Sequence, residues 1–373
     1  MSENCKFCGF DGIGNRDFIT PIIKLVDYCN FACDFCRYHQ NPAKNTMDFE
    51  TYKMIIDKSL KYNIQHGWNH MNVIYHGGEP LLWGFENFQK AVEHQHDLKK
   101  TYPDFSFEND VQTNASLLND EWITFFKEHN FHIGISIDGP DDINFHRNSK
   151  INSEVVLNNI HKLHALGCHF GILSVITNKH VGKAKEYYDF LQSNNIHSIG
   201  FCFCVDEDNH TTIKNEILTD FLIEFFNLYF FGSYNLRVRE FESCMRLYLK
   251  KDAKACTYSF GKQCNKYFSI LPNGDILFCD PYSLNEKSLG NIKVDDFYRI
   301  KSSTFLQEVC KSIEEHLFAE CANCSIKDIC GGGCYRNIIN GKNIFCETFK
   351  VLYPYIEKTI KSKCDNTNIL QIK

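Results

Sequence analysis

Cys29, Cys33 and Cys36 place three thiols in the run Cys29-Asn30-Phe31-Ala32-Cys33-Asp34-Phe35-Cys36. Three thiolates on so short a loop suit a [4Fe–4S] cluster whose fourth iron has no protein ligand. A cluster closed by four thiolates carries electrons, whereas an open iron can bind a small molecule and act on it. A zinc site or a disulfide knot is the plain alternative. Zinc sites usually use paired two-residue spacings with a fourth ligand close in sequence, and neither alternative fits this run well.

Eight further cysteines form a second array: Cys256, Cys264, Cys279, Cys321, Cys324, Cys330, Cys334 and Cys346. Eight thiolates suffice for two four-thiolate clusters. If all the ligands are protein-derived, both are closed, and their expected role is electron transfer and not substrate coordination. A pair of structural zinc sites would use the same ligands. Cys5, Cys8, Cys168, Cys202, Cys204, Cys244, Cys310 and Cys364 have no matched set and read as small buried apolar residues or plain thiols.

The elements that must position these groups follow from periodicity. Short β-branched or aromatic runs at 22–27, 72–76, 105–112, 132–138, 169–176 and 198–205 read as strands. Helical patterns at 49–65, 86–100, 120–128, 153–166 and 182–193 separate them, with Asn119, Asn152 and Asn178 near helix starts. Repeated βα units predict parallel strands with right-handed crossovers, whose active groups collect in loops at the C-terminal strand ends. The polar motifs lie at those ends: the three-cysteine run, Gly77-Gly78-Glu79-Pro80, Gln112-Thr113-Asn114 and Ser136-Ile137-Asp138-Gly139. A helix over 217–231 closes this region, and Pro272-Asn273-Gly274-Asp275 reads as a hairpin turn between strands at 267–271 and 276–278.

The chain has 373 residues, 19 cysteines and a formal net charge of -6. That length predicts two or three domains with a large core, and the charge argues against nucleic acid as a partner. The N-terminus lacks the apolar stretch of a secretion signal, and the most apolar run, 221–231, is short and holds Glu224 and Asn227. The expectation is a cytoplasmic protein with no membrane span, its cysteines explained by metal thiolates.

Taken together, the three-cysteine run, the Gly-Gly-Glu-Pro loop and the second array resemble radical S-adenosylmethionine (SAM) enzymes with a SPASM extension. The spacing Cys264-x9-Gly274-x4-Cys279, followed by Cys321-x2-Cys324-x5-Cys330-x3-Cys334, carries the second half of that likeness. The resemblance implies an α/β fold: a partial (β/α)6 TIM-like barrel as radical SAM core, then a small cysteine-rich α+β SPASM domain with two auxiliary clusters. The expected division is 1–20 as an N-terminal extension, 21–240 as core and 241–373 as the auxiliary-cluster domain. Within the superfamily the chain is most similar to anaerobic sulfatase-maturating enzymes, which oxidise a cysteine or serine to formylglycine. Tyr38-His39, Gln112-Thr113-Asn114, the run 134–140 and Asp280 directly after Cys279 support that likeness.

By this resemblance the cofactors are SAM and three [4Fe–4S] clusters. The open iron binds the SAM amino and carboxylate groups, and reductive cleavage yields a 5′-deoxyadenosyl radical. Gly77 and Gly78 would permit close backbone approach, Glu79 or a nearby carbonyl would receive the ammonium, and Ser136 would bond the ribose. Arg147 would pair with the carboxylate, and Tyr38 would border the adenosine. Asp280 would be the base: loss of a β-hydrogen leaves a substrate radical that still holds an S–H or O–H proton. The implied partners are a peptide or unfolded protein substrate and an electron donor such as flavodoxin or ferredoxin. Two rival functions remain. One is a maturase forming thioether or carbon–carbon crosslinks in a ribosomally made peptide, for which only about twenty residues precede the first strand, too few for a leader-binding domain. The other is a non-enzymatic iron–sulfur electron carrier.

Overall fold

The structure is a computed structural model that describes residues 17–36, 38, 44–144, 147, 153–205, 213–249, 266–280, 287–319 and 321–364. His39, Asn152, Cys5, Cys8, Cys256 and Cys264 lie outside the described residues.

In chain order the elements begin β1 (Thr20–Lys24), α1 (Phe49–Gln65), β2 (His70–His76), α2 (Phe85–Thr101), β3 (Ser106–Thr113), α3 (Asp120–Glu128), β4 (His132–Ser136) and the single turn α4 (Asp141–Asn144). They continue with α5 (Ser153–Ala165), β5 (Phe170–Ile176), α6 (Ala184–Ser193), β6 (Ser198–Phe203), α7 (Asn215–Phe231), β7 (Arg237–Val238) and α8 (Arg239–Tyr248). The last are β8 (Tyr267–Ile270), β9 (Asp275–Phe278), β10 (Gly290–Asn291), α9 (Phe297–Lys301), α10 (Thr304–Ala319), α11 (Lys327–Cys330), the hairpin β11 (Ile338–Ile339) and β12 (Lys342–Asn343), and α12 (Cys346–Cys364).

The fold is α/β, and the expected strands all form. β1 differs most: its sequence pattern predicts 22–27, and it spans Thr20–Lys24. Beyond Lys24 the chain leaves regular pairing, with Val26 bridged to Thr46 instead. The α1 helix begins where Asp48 accepts the Thr51 N–H at 2.7 Å, and α3 where Asn119 accepts that of Trp122 at 2.9 Å. Asn178 does not cap α6. Thr177 caps a 3₁₀ turn there, and α6 follows from Ala184.

Contact density divides the chain into two compact units, the first comprising residues 1–137, 144–173 and 263–311. This cut differs from the expected division near residue 240. The reason is edge pairing: β8 lies parallel to β1, in register Thr20↔Tyr267 through Ile23↔Ile270, so the hairpin β8–β9 joins the first unit. The strand order there is β10-β9-β8-β1-β2-β3-β4-β5, mixed and open, because β8–β9 and β9–β10 are antiparallel while β8-β1-β2-β3-β4-β5 is parallel. Fully buried strand residues pack under helix faces that bury Tyr52, Ile55, Ile56, Phe88 and Phe126. Each such side chain contributes about 1.5–3 kcal/mol on leaving water.

The second unit comprises 138–143, 174–262 and 312–373. Its core is aromatic: Phe221, Phe225 and Phe226 of α7 pack with Phe241 of α8. α12 is tied to α7 through Thr348, whose hydroxyl donates to the Asn215 side-chain oxygen at 2.8 Å. Among the described residues, no helix is long and apolar enough to cross a membrane.

Candidate functional site

The loop after β1 carries Cys29, Cys33 and Cys36, and the structure closes it at the neck. The Asp27 carboxylate accepts from the Asn45 N–H at 2.7 Å and from its side-chain amide at 2.6 Å. Inside the loop, the Cys36 N–H donates to the Cys33 carbonyl at 2.9 Å and the Phe31 N–H to Cys29 Sγ at 3.3 Å. Asn114, at the end of β3, donates to Cys29 Sγ at 3.5 Å and to Asn30 Oδ1 at 2.8 Å. Burial pushes the Cys29 thiol up to about 11 despite the Phe31 N–H. A thiolate there is favoured when a cation replaces the proton, as metal ligation does. Three thiols on one loop have the chemistry of a cluster that takes one thiolate per iron, while among the described residues no three such side chains are grouped to hold a single metal ion.

Gly77 and Gly78 hold this loop down. The Gly78 N–H donates to the Val26 carbonyl at 2.8 Å and the Glu79 N–H to that of Tyr28 at 3.0 Å. A Cβ on Gly78 would sit 1.8 Å from the Tyr28 oxygen, and one on Gly77, at φ +137, 2.4 Å from that of Val26. The close approach that demands these glycines is thus to the segment leading into Cys29. Glu79 is buried and already engaged: it accepts from the Leu81 N–H at 3.1 Å, the Thr113 hydroxyl at 2.7 Å and the Asn114 N–H at 2.8 Å. Burial raises its carboxyl to about 7 against those three donors. It takes up three of about four carboxylate acceptor positions, joining the end of β3 to the glycine loop.

The other predicted groups scatter more. Ser136, at the end of β4, accepts from the Gln112 amide at 2.8 Å. Arg147 is buried with its guanidinium 5.6 Å from the Phe35 ring, over the cysteine loop. The Tyr38 ring lies 5.5 Å from the Lys24 ammonium, and burial raises the Tyr38 hydroxyl to about 12.

Asp280 follows β9 and meets the end of β1. Its Oδ1 lies 2.5 Å from Nζ of Lys24, a fully buried lysine, and its Oδ2 lies 4.0 Å from His76 Nε2. Burial alone would lower the Lys24 ammonium, but the Asp280 carboxylate raises it to about 12. Sequence reasoning missed Lys24. The available signal was a lysine inside the apolar run Ile22-Ile23-Lys24-Leu25-Val26, since lysine is almost never fully buried unless paired.

In the second unit, Cys321, Cys324 and Cys330 stand on successive tight turns. The Cys324 N–H donates to the Cys321 carbonyl at 3.1 Å, and the Cys330 N–H to that of Ile326 at 2.8 Å. Gly331, at φ 55, ends α11 in the left-handed conformation. Burial lifts the Cys330 thiol to about 12, and the neighbouring Cys321, Cys346 and Cys324 thiols add to it. Cys334 follows on the next turn, its carbonyl accepting the Asn337 N–H at 3.0 Å.

The profile of the radical SAM superfamily matches residues 23–191, and that of the SPASM iron–sulfur cluster-binding domain matches 262–325. The chain carries a radical SAM domain followed by a SPASM domain. It is 26% identical to a cysteine-type anaerobic sulfatase-maturating enzyme of Clostridium novyi, over 89% of this chain and 95% of that protein. It is likewise 26% identical to a serine-type anaerobic sulfatase-maturating enzyme of Bacteroides thetaiotaomicron, over 91% of each. In fold it resembles native anSMEcpe with bound AdoMet and Cp18Cys peptide, at a TM-score of 0.82 and 24% identity, over 93% of this chain and 99% of that one. Both domains of this radical SAM chain imply iron–sulfur clusters, and the three-cysteine loop lies within the superfamily match.

Proposed function

We propose that this radical SAM enzyme oxidises a cysteine or serine side chain of a sulfatase-type peptide or unfolded protein to formylglycine. The observation that carries the reading is Asp280: a half-exposed carboxylate anchored by a buried lysine on β1, the strand that leads into the three-cysteine loop. Relatives of both cysteine and serine type, aligned over most of the chain, support the substrate class.

Cys29, Cys33 and Cys36 would hold the open cluster, and Tyr38, Gly77, Gly78, Glu79, Ser136 and Arg147 form the candidate SAM surround. Cys256, Cys264, Cys279, Cys321, Cys324, Cys330, Cys334 and Cys346 would supply two closed clusters, for three in all. When bound, the open cluster with SAM supplies hydrogen-atom abstraction, and the closed clusters supply electron transfer. The chain's own residues do the rest. Arg147, buried over Phe35, offers a cation beside the cysteine loop for a carboxylate. Glu79, with three donors of the chain upon it, acts through the loop it ties, and a nearby backbone carbonyl takes the ammonium. Asp280 receives the S–H or O–H proton of the substrate once its β-hydrogen is gone. A flavodoxin or ferredoxin would deliver electrons, and a reducing cytoplasm suits this many thiols.

The test is anaerobic turnover of the reconstituted enzyme on short peptides carrying Cys or Ser followed by Pro and Arg. The expected outcome is the mass change of formylglycine formation together with 5′-deoxyadenosine. SAM cleavage with no such mass change sinks the formylglycine reading, and a crosslinked product from another peptide replaces it with a crosslinking maturase.

A further inference from the structure

Asp280 is not alone at the end of β1. The Lys24 ammonium that binds its Oδ1 also lies 3.2 Å from His76 Nδ1, at the end of β2. The Gly77 N–H donates to the same ring nitrogen at 2.8 Å. Nδ1 also lies 3.3 Å from the Gly77 carbonyl, but an ammonium and an amide, which can only donate, stand closer, so Nδ1 is assigned as the acceptor and the neutral ring's proton to Nε2. That Nε2–H is the group 4.0 Å from Asp280 Oδ2. Burial, then the Lys24 charge, hold the His76 imidazole down to about 4, which keeps it neutral at ordinary pH.

We propose that Lys24 and His76 are positioning residues that orient the Asp280 carboxylate for proton removal from the substrate. Lys24 grips Oδ1 from the buried side. His76, fixed in one tautomer by Lys24 and Gly77, turns an N–H toward Oδ2 from too far to bond it. Together they set the orientation of the carboxylate that meets the substrate S–H or O–H proton, on a side chain that is 47% exposed. Lys24 remains an ammonium throughout, so the proton passes from the substrate to the carboxylate alone. The inference rests on Asp280 being the base of the proposed reaction.

The experiment compares reconstituted wild type with Lys24→Met, which keeps the length and removes the charge, and with His76→Leu and His76→Gln. On a peptide that wild type converts, the readout is the ratio of 5′-deoxyadenosine released to peptide oxidised, with peptide KM measured separately. Lys24→Met is expected to raise the ratio about 10-fold or more, His76→Leu about 3-fold or more, and His76→Gln, which restores an N–H, to stay within about 2-fold, with KM moving less than about 3-fold throughout. Crystals of the same variants report the Asp280 side chain directly: it should leave its wild-type orientation in Lys24→Met and keep it in His76→Gln. Unchanged ratios or an unmoved carboxylate in Lys24→Met overturn the proposal; should that variant not fold, unchanged ratios in His76→Leu overturn it. If wild type oxidises no such peptide, the functional reading fails, and the crystals still decide whether Lys24 and His76 orient Asp280.

Discussion

The cysteine loop of the first unit and the cysteine turns of the second use the same chemistry in opposite ways. The loop offers three thiols, and its surroundings hold it in place: Gly78 against Val26, Glu79 against Tyr28, Asp27 against Asn45, and the Asn114 side chain against Cys29. On the turns, burial raises the Cys330 thiol, with smaller contributions from Cys321, Cys346 and Cys324. On the proposed reading, three thiols would leave one iron open to a ligand, and four would close a cluster. The difference teaches that cysteine number alone does not separate a reactive site from a conduit. What separates them is whether neighbouring elements leave room and supply polar groups beside the metal.

Substitutions in each region test this contrast. The largest effect is expected from replacing Cys29, Cys33 and Cys36 together by alanine: SAM cleavage should vanish while iron falls from about twelve to about eight per chain, since each [4Fe–4S] cluster carries four. Retained cleavage would erase the distinction between the two regions. Next, Asp280→Asn should lower formylglycine product by about 10²-fold or more while 5′-deoxyadenosine still forms, measured by mass spectrometry and chromatography. Undiminished product removes Asp280 from the chemistry.

Gly78→Ala probes the approach itself. A Cβ 1.8 Å from the Tyr28 oxygen forces the loop to move, so a loss of about 3 kcal/mol or more is expected, with lower iron occupancy of the loop. A melting temperature and iron content like wild type would mean that the contact is dispensable. Glu79→Gln should show a smaller, pH-dependent effect. Burial raises the Glu79 carboxyl from 4.5 to about 7, so the folded state keeps a proton that the unfolded chain releases across that window. Its contribution is present below the unfolded value and is lost as pH rises toward the folded one. The glutamine variant should therefore gain on wild type by about 2 kcal/mol between pH 5 and pH 8 in urea melts. Parallel curves would contradict this. The smallest effect belongs to Cys244→Ala in the second unit, a buried thiol beside Cys330. It should cost about 1 kcal/mol and leave iron content unchanged, marking Cys244 as packing and not as a ligand.

The alternation of strand and helix patterns, the three-cysteine loop and the motifs at strand ends were legible in the sequence because they are local. Strand and helix periods lie within a few residues of each other, and Cys29, Cys33 and Cys36 share one turn of chain. Even there, the role of the Gly-Gly pair was only half readable, since its close neighbour is the backbone of Tyr28, some fifty residues away in sequence. The fit of β8 beside β1 depended on backbone edges that no pattern of side chains announces. The sequence alone was enough to name candidate residues for an open cluster, for closed clusters and for a base, because those choices rest on residue type and spacing. Only the tertiary structure decided that Lys24 and His76 meet Asp280, and that Glu79 faces inward to Thr113 and Asn114. A buried charge finds its partner through packing of segments more than two hundred residues apart, and that packing is set by the whole core and not by any local run.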